Sequence, residues 1–121
     1  MGDTTKLGFD SPDISVHSTE QTAPAAGTVL CDSGAVVKAG NYRFRCVVAT
    51  TDTIQNLIQG AHRNAANRAD LELADLQAGP NSQAEVDALF VLAANERVVV
   101  RNLIVGTAAK VYQANLYGWL L

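Results

Sequence analysis

Few residues in this chain are of types that could do chemistry, and their spacing is wide. His62 is followed by Arg63 and Asn64, with Asp70, Glu72 and Asp75 downstream, while the other histidine, His17, lies near the N-terminus. A catalytic histidine needs a nucleophile and an orienting carboxylate converging on it, and a metal site needs two or more further ligands. Neither is encoded at this spacing. A hydrolase using His62 and an acid such as Asp70 is therefore the lesser reading, and His62 is expected to cap or hydrogen-bond a turn at a strand end. A carboxylate pair for glycoside hydrolysis could be drawn from these acids or from Glu85 and Asp87, but acids two apart on a strand form a solvated face. Cys31 and Cys46 lack the close pairing of a zinc site and are too few to staple a small secreted fold; two reduced core thiols are expected, with a disulfide as the alternative. No phosphate-binding loop, dinucleotide fingerprint, nucleophile elbow or zinc-protease motif occurs. The sequence assigns no catalytic, cofactor-binding or metal-binding residue, and neither a cofactor nor enzymatic activity is expected.

What remains is binding chemistry. Arg43 with Arg45, and Arg97 with Arg101, put cations on strand faces, where they pair with neighbouring acids or grip a carboxylate of a protein partner. The formal charge of −3 excludes the broad basic field of a nucleic-acid binder. That whole charge lies in residues 1–26, where Lys6 stands against Asp3, Asp10, Asp13 and Glu20, and the rest of the chain is balanced. Apolar runs such as Leu89 to Ala94 are far shorter than the ~20 residues of a membrane helix, so no membrane association is expected. No targeting segment is visible. Met1-Gly2-Asp3 resembles an acylation signal, but Lys6 stands where that signal requires Ser or Thr.

With 121 residues, 48% of them hydrophobic and 17% charged, the chain can build one core. From Tyr42 to Thr50 the alternation is clean: Tyr42, Phe44, Cys46 and Val48 share a face and Arg43 and Arg45 begin the other, the period of a half-buried strand. Lys38-Ala39-Gly40-Asn41 supplies turn chemistry before it, so Thr28 to Val37, split as two strands, is expected to return through this turn into Tyr42. Further strands are expected at Thr53 to His62, Ala69 to Leu76, Ala84 to Leu92, Arg97 to Val105 and Lys110 to Leu120. Propensity alone would make Asn64 to Leu76 and Ala84 to Asn95 helical, but the regular turn spacing favours strands. The fold class is all-β: about eight antiparallel strands in a jelly-roll-like sandwich over residues 27–121.

Residues 1–26 read as an extended N-terminal arm. Leu7 with Phe9 and Ile14 with Val16 are brief alternations among turn-forming residues, and the arm is held either by another chain or by the domain's own flank. On the last strand, Tyr117, Trp119 and Leu121 share a face with Val111, while Tyr112, Ala114, Leu116 and Leu120 share the other. A strand apolar on both faces is central in a sandwich or half-covered from outside, by another subunit or by the arm folding back. Leu7, Phe9, Ile14, Val16, Tyr117 and Trp119 are accordingly the expected partner-binding residues, with sugar stacking on Tyr117 and Trp119 as the competing use.

Gly40-Asn41-Tyr42-Arg43-Phe44, His62-Arg63-Asn64-Ala65-Ala66-Asn67, Leu92-Ala93-Ala94-Asn95-Glu96-Arg97-Val98 and Val111-Tyr112-Gln113-Ala114 resemble segments of small β-sandwich proteins of tailed bacteriophages, over about Gly27 to Leu121. Proteins of this kind include capsid cement, or decoration, proteins. The resemblance implies a virion structural protein on the outer capsid surface, bound to the major capsid protein; a homo-oligomer, a dimer or trimer at a symmetry axis, is expected because repeated copies usually close into cyclic assemblies. The alternative within the same resemblance is a receptor- or carbohydrate-binding domain of a head or tail fibre.

Overall fold

A computed structural model describes residues 11–80 and 83–121. Nine strands are present among them: β1 (Ile14–His17), β2 (Gln21–Thr22), β3 (Val29–Asp32), β4 (Gly40–Thr50), β5 (Asn56–Arg63), β6 (Asp70–Ala78), β7 (Gln83–Leu92), β8 (Arg97–Asn102) and β9 (Val111–Leu120). One sheet runs β1-β9-β4-β7, with β2 also on β9, and the second runs β3-β8-β5-β6; every pairing is antiparallel. The expected all-β sandwich is the observed architecture, and both stretches that propensity would have made helical are strands, β6 and β7.

The core lies between the sheets. Inward positions of β4 and β9, among them Phe44, Cys46, Val48, Tyr112, Ala114 and Leu116, meet Ile58, Val98, Val100 and Leu30 from the other sheet. Gly118, on the inward face of β9, is where β1 and β4 both crowd the backbone. A Cβ built there would sit 2.7 Å from the Phe44 ring and 3.3 Å from Ile14 Cβ. Gly118→Ala is therefore expected to cost about 1–3 kcal/mol by overpacking; urea unfolding checks this, and a change below about 0.5 kcal/mol would contradict the packing described.

Three sequence expectations need correction. Thr28 to Val37 is one strand, not two, and it does not hairpin into β4. The Asp32 carboxylate accepts the Gly34 amide at 2.8 Å, Gly34 takes a positive φ of 75°, and the chain leaves the second sheet to cross to the first. β5 starts at Asn56 rather than Thr53, because the Asp52 side chain turns residues 53 and 54 through their amides, at 2.7 and 3.3 Å. The described part of the arm, residues 11–26, belongs to the body. β1 registers Ile14 to Gly118 and Val16 to Leu116 on β9, and the Pro24 carbonyl accepts the Gly106 amide at 2.8 Å. Of the two holders the sequence left open, the domain's own flank holds this part. The strand count rises to nine for the same reason.

One polarity is inverted from a hydrophobic reading. On β6, Glu72, Ala74 and Leu76 turn toward the interior, while Leu71 and Leu73 stand 53% and 56% exposed. A short β-bulge between His62 and Arg63 shifts the β5–β6 register just there.

Candidate functional site

At one end of the sandwich, His62 points inward from the end of β5 and is 3% exposed. Its Nδ1 lies 2.7 Å from Glu72 Oε2 on β6, and its Nε2 lies 2.8 Å from Glu96 Oε1 in the turn between β7 and β8. Both contacts are satisfied when both ring nitrogens carry protons and donate. Glu96 also accepts the Ala93 amide at 2.7 Å, and that amide together with the His62 ring holds its carboxyl below the usual carboxylate range. Glu72 also accepts the Val91 amide of β7 at 3.3 Å, so this one carboxylate ties the edges of both sheets. The remaining ring neighbour is Phe90. His62 thus bonds a turn and one strand directly, with Glu72 carrying the link on to β7, and no hydroxyl or thiol nucleophile is among its hydrogen-bond partners. Asp70, the acid considered as its partner, instead faces Arg101 at 2.7 Å and Arg63 at 3.1 Å. The Arg101 guanidinium, with that of Arg63, depresses its carboxyl against the cost of its burial.

At the other end lies a cluster that sequence reasoning missed. Asp52 is fully buried, and its Oδ2 accepts the Tyr112 hydroxyl at 2.6 Å and the Thr107 amide at 2.9 Å. Asn56 Nδ2 donates to the Tyr112 oxygen at 3.1 Å and to the Ile104 carbonyl at 2.8 Å, and Asn102 Nδ2 donates to the same carbonyl at 2.8 Å. Burial opposes ionisation of Asp52, but the Thr107 and Tyr112 donors outweigh it and hold the carboxyl far below its ordinary value. Burial and the facing Asp52 carboxylate push the Tyr112 phenol up. The group has the composition of a reactive site and the burial of a structural one. The signal that could have located it is the polar run Thr50-Thr51-Asp52-Thr53 between two strongly patterned strands.

The outer face of the first sheet carries the expected binding aromatics. Trp119 is only 4% exposed and lies under the Arg43 guanidinium, 5.3 Å from the ring centroid. Arg43 in turn pairs with Asp87 at 3.2 Å, and Arg45 pairs with Glu85. The Trp119 ring is therefore not available as a stacking platform or as an intermolecular anchor, which corrects both expected uses. Tyr117 is half-buried, with the His17 ring edge-on at 5.6 Å and His17 Nδ1 2.9 Å from Asn115 Oδ1. Ile14 and Val16 pack partly against the chain's own core, so their apolar side chains are also used within the body. Leu7 and Phe9 lie outside the described residues.

On the outer face of the second sheet, the Arg97–Asp32 pair at 3.0 Å joins those of Arg63 and Arg101 with Asp70. Gln59 links Arg101 to Asp75, donating to the latter at 3.0 Å. Ala61 and Val99 lie at 0% and 1% exposure on this same face. These charges compensate one another. Cys31 and Cys46 are buried free thiols, pushed up to about 11 and about 12 by burial, and so are protonated and unreactive at neutral pH. No group of three or more potential metal ligands occurs among the described residues. A gap of about 10 Å³ between Phe44, Gly60, Ala74, Ala88 and Phe90 is too small and apolar to hold more than a solvent molecule. A shallow dip of about 160 Å³ beside Glu20, Thr51 and Gln113 is well below the size of a ligand pocket.

No protein-family model matches the sequence, and no curated protein matches it. Solved structures do match in fold. The globular domain of zebrafish complement 1qA protein aligns with a TM-score of 0.66 at 14% identity, over 93% of this chain and 98% of that one. The Eiger TNF of S. frugiperda aligns at 0.61 and 15% identity, over 91% and 93%. The N-terminal cellulose-binding domain of Cellulomonas fimi β-1,4-glucanase C aligns at 0.53 and 12% identity, over 93% and 91%. At these identities the likeness is one of fold alone, and the fold it establishes is the jelly-roll β-sandwich.

Proposed function

We propose that this chain is a non-catalytic binding module that works through protein–protein contacts, as a decoration protein on the outer surface of a phage capsid. The observation that carries the reading is the way the described surface uses its functional groups. The arginines of both sheet faces are matched to acids, the tryptophan is covered, and both buried acid clusters brace loops. The two hollows described above, of about 10 and about 160 Å³, are smaller than a substrate pocket, while apolar side chains remain exposed on strand faces. The segment resemblance to small phage sandwich proteins supports the virion setting. The major capsid protein is the partner in this reading, and copies of the chain associate with one another on the lattice.

The physics of the role is mass action. A ligand that binds only the assembled shell stabilises that state by about 2.7 kcal/mol per site at a hundred times its dissociation constant, and many modest sites add up. The N-terminal segment supplies the acidic excess that would meet basic patches on the shell. The test is cosedimentation of the purified chain with empty shells of the cognate major capsid protein. The full chain is expected to pellet with shells and not with unassembled subunits, and a chain lacking residues 1–10 is expected to stay folded but bind at least tenfold more weakly. This deletion spares β1 and β2, which a cut at residue 26 would remove from the sheet. Failure of the full chain to pellet would overturn the proposal. The fibre-domain alternative loses its platform with Trp119 covered; saturable quenching of tryptophan fluorescence by oligosaccharides would restore it.

A further inference from the structure

A hollow of about 160 Å³ opens on the outer face of the first sheet, where Ala49, Val111 and Gln113 alternate with the buried Val48, Tyr112 and Ala114. β2 pairs Gln21 with Tyr112, so Glu20, the residue before it, stands beside Gln113, whose partner on β4 is Ala49. Thr50 and Thr51, at the end of β4, complete the lining. Thr50 donates to the Val111 carbonyl at 3.0 Å and accepts the Asp52 amide at 2.9 Å, while Thr51 Oγ1 accepts the Val111 amide at 3.1 Å. Gln113 Nε2 donates to the Ser18 carbonyl at 3.0 Å, which leaves the side-chain oxygen of Gln113 as an acceptor. Glu20 is the exception among the acids. Every other acid of the described residues accepts a hydrogen bond from within the chain, whether from arginine, histidine, glutamine, tyrosine or a backbone amide; Glu20 accepts none. We infer that this hollow is the socket for one basic side chain, an arginine, of the protein that this chain binds.

The size and chemistry of the hollow select that occupant. It holds about ten times the ~15 Å³ that admits one water, yet about half of the ~300 Å³ of the smallest ligand pockets, so it takes the end of one side chain. The groups left open around it, the Glu20 carboxylate and the Gln113 oxygen, are acceptors. A guanidinium carries five N–H donors and no acceptor, and its planar fork meets a carboxylate with two parallel bonds. Ala49 and Val111 offer the aliphatic surface on which the methylene stem of an arginine lies. A hard divalent cation would need about six or more oxygens within about 2.6 Å, which one carboxylate and one amide do not supply. An anion would meet the Glu20 charge. No arginine or lysine of the described residues forms an ion pair with Glu20, so the carboxylate is open to a partner's cation.

This inference rests on the protein–protein reading above and names one of its contacts. Nuclear magnetic resonance of the isotope-labelled full chain, titrated with Nα-acetyl-arginine amide at constant ionic strength, tests the socket without a partner. The Gln113 side-chain amide and the Glu20 and Thr51 backbone amides are expected to shift and to saturate with a dissociation constant on the order of 10 mM, as fits one side chain. Nα-acetyl-citrulline amide, the uncharged isostere, is expected to bind about tenfold more weakly, and so is the arginine probe to Glu20→Gln, each lacking one charge-assisted pair. Cosedimentation with capsid shells is the second arm, in which Glu20→Gln is expected to bind about tenfold more weakly than the wild type. No shift at these residues, citrulline binding as tightly as arginine, arginine binding undiminished in Glu20→Gln, or Glu20→Gln pelleting like the wild type overturns the socket and leaves the capsid reading standing. Arginine filling the hollow of a full chain that does not pellet overturns the capsid reading alone.

Discussion

Asp52→Ala is expected to remove about 3–5 kcal/mol of folding stability, the largest single effect in the molecule outside its apolar core. The carboxylate is fully buried and receives the Tyr112 hydroxyl and the amides of Thr53, Ile54 and Thr107. Alanine leaves these donors without their acceptor in a space water reaches poorly, at about 1–3 kcal/mol for each buried group left unmatched. Since a domain of this size is stable by only about 5–15 kcal/mol, the variant sits near the threshold of folding. Tyr112→Phe is the milder partner experiment, expected at about 1–3 kcal/mol because one acceptor of a satisfied carboxylate loses one donor. Urea unfolding of both variants measures the effect, and a loss below about 1 kcal/mol for Asp52→Ala would contradict the network.

The same group sets a pH dependence with a definite sign. Its folded-state value is depressed, so its contribution to stability is complete above the unfolded carboxylate value near ~3.9 and is lost progressively as pH falls toward the folded value. Wild-type stability should therefore fall below about pH 4 more steeply than that of Asp52→Asn, which carries no such linkage. Parallel acid profiles for the two proteins would place the depression elsewhere.

His62→Ala is the second large prediction, at about 2–4 kcal/mol. It leaves Glu72 and Glu96 facing each other without the ring that donates to both, and Glu96 is 13% exposed at its side chain. The loss should be felt at two further places, because the ring's two partners also hold the Ala93 and Val91 amides. Amide exchange at Val91 and Ala93 is expected to accelerate ahead of the core strands β4 and β9. Uniform acceleration across all strands would indicate a general loss of packing instead. His62→Gln, which keeps one donor, should recover part of the stability.

How much of this was legible in the sequence depends on what fixes each feature. β4 could be read outright, since arginines alternate with large apolar residues and each face has one destination. The inward set of β9, Tyr112, Ala114 and Leu116, was legible for the same reason. Turn chemistry at Gly40 and Asn41 suggested a hairpin return, but both residues open β4 and the preceding strand belongs to the other sheet. That crossing is made by the Asp32 side chain and the positive φ of Gly34. Ile14 and Val16 were recognisable as a brief alternation, but their partners, Gly118 and Leu116, lie far away in sequence at the other end of the same chain. A strand over Ala69 to Leu76 was legible, but not its polarity: Glu72, held by His62, turns inward with Ala74 and Leu76, and Leu71 is the extra residue of the bulge opposite His62 and Arg63. Trp119 reads as a free aromatic until Arg43, its cross-strand neighbour on β4, is seen over its ring.

The most direct test of the central claim is the disassembly temperature of empty capsid shells scanned with and without this protein. The shell is expected to come apart at a temperature that rises with added chain and saturates at a fixed ratio to the capsid subunit, while unassembled subunits melt unchanged. A shell transition that does not move, or a shift equally large for free subunits, would contradict a lattice-binding role.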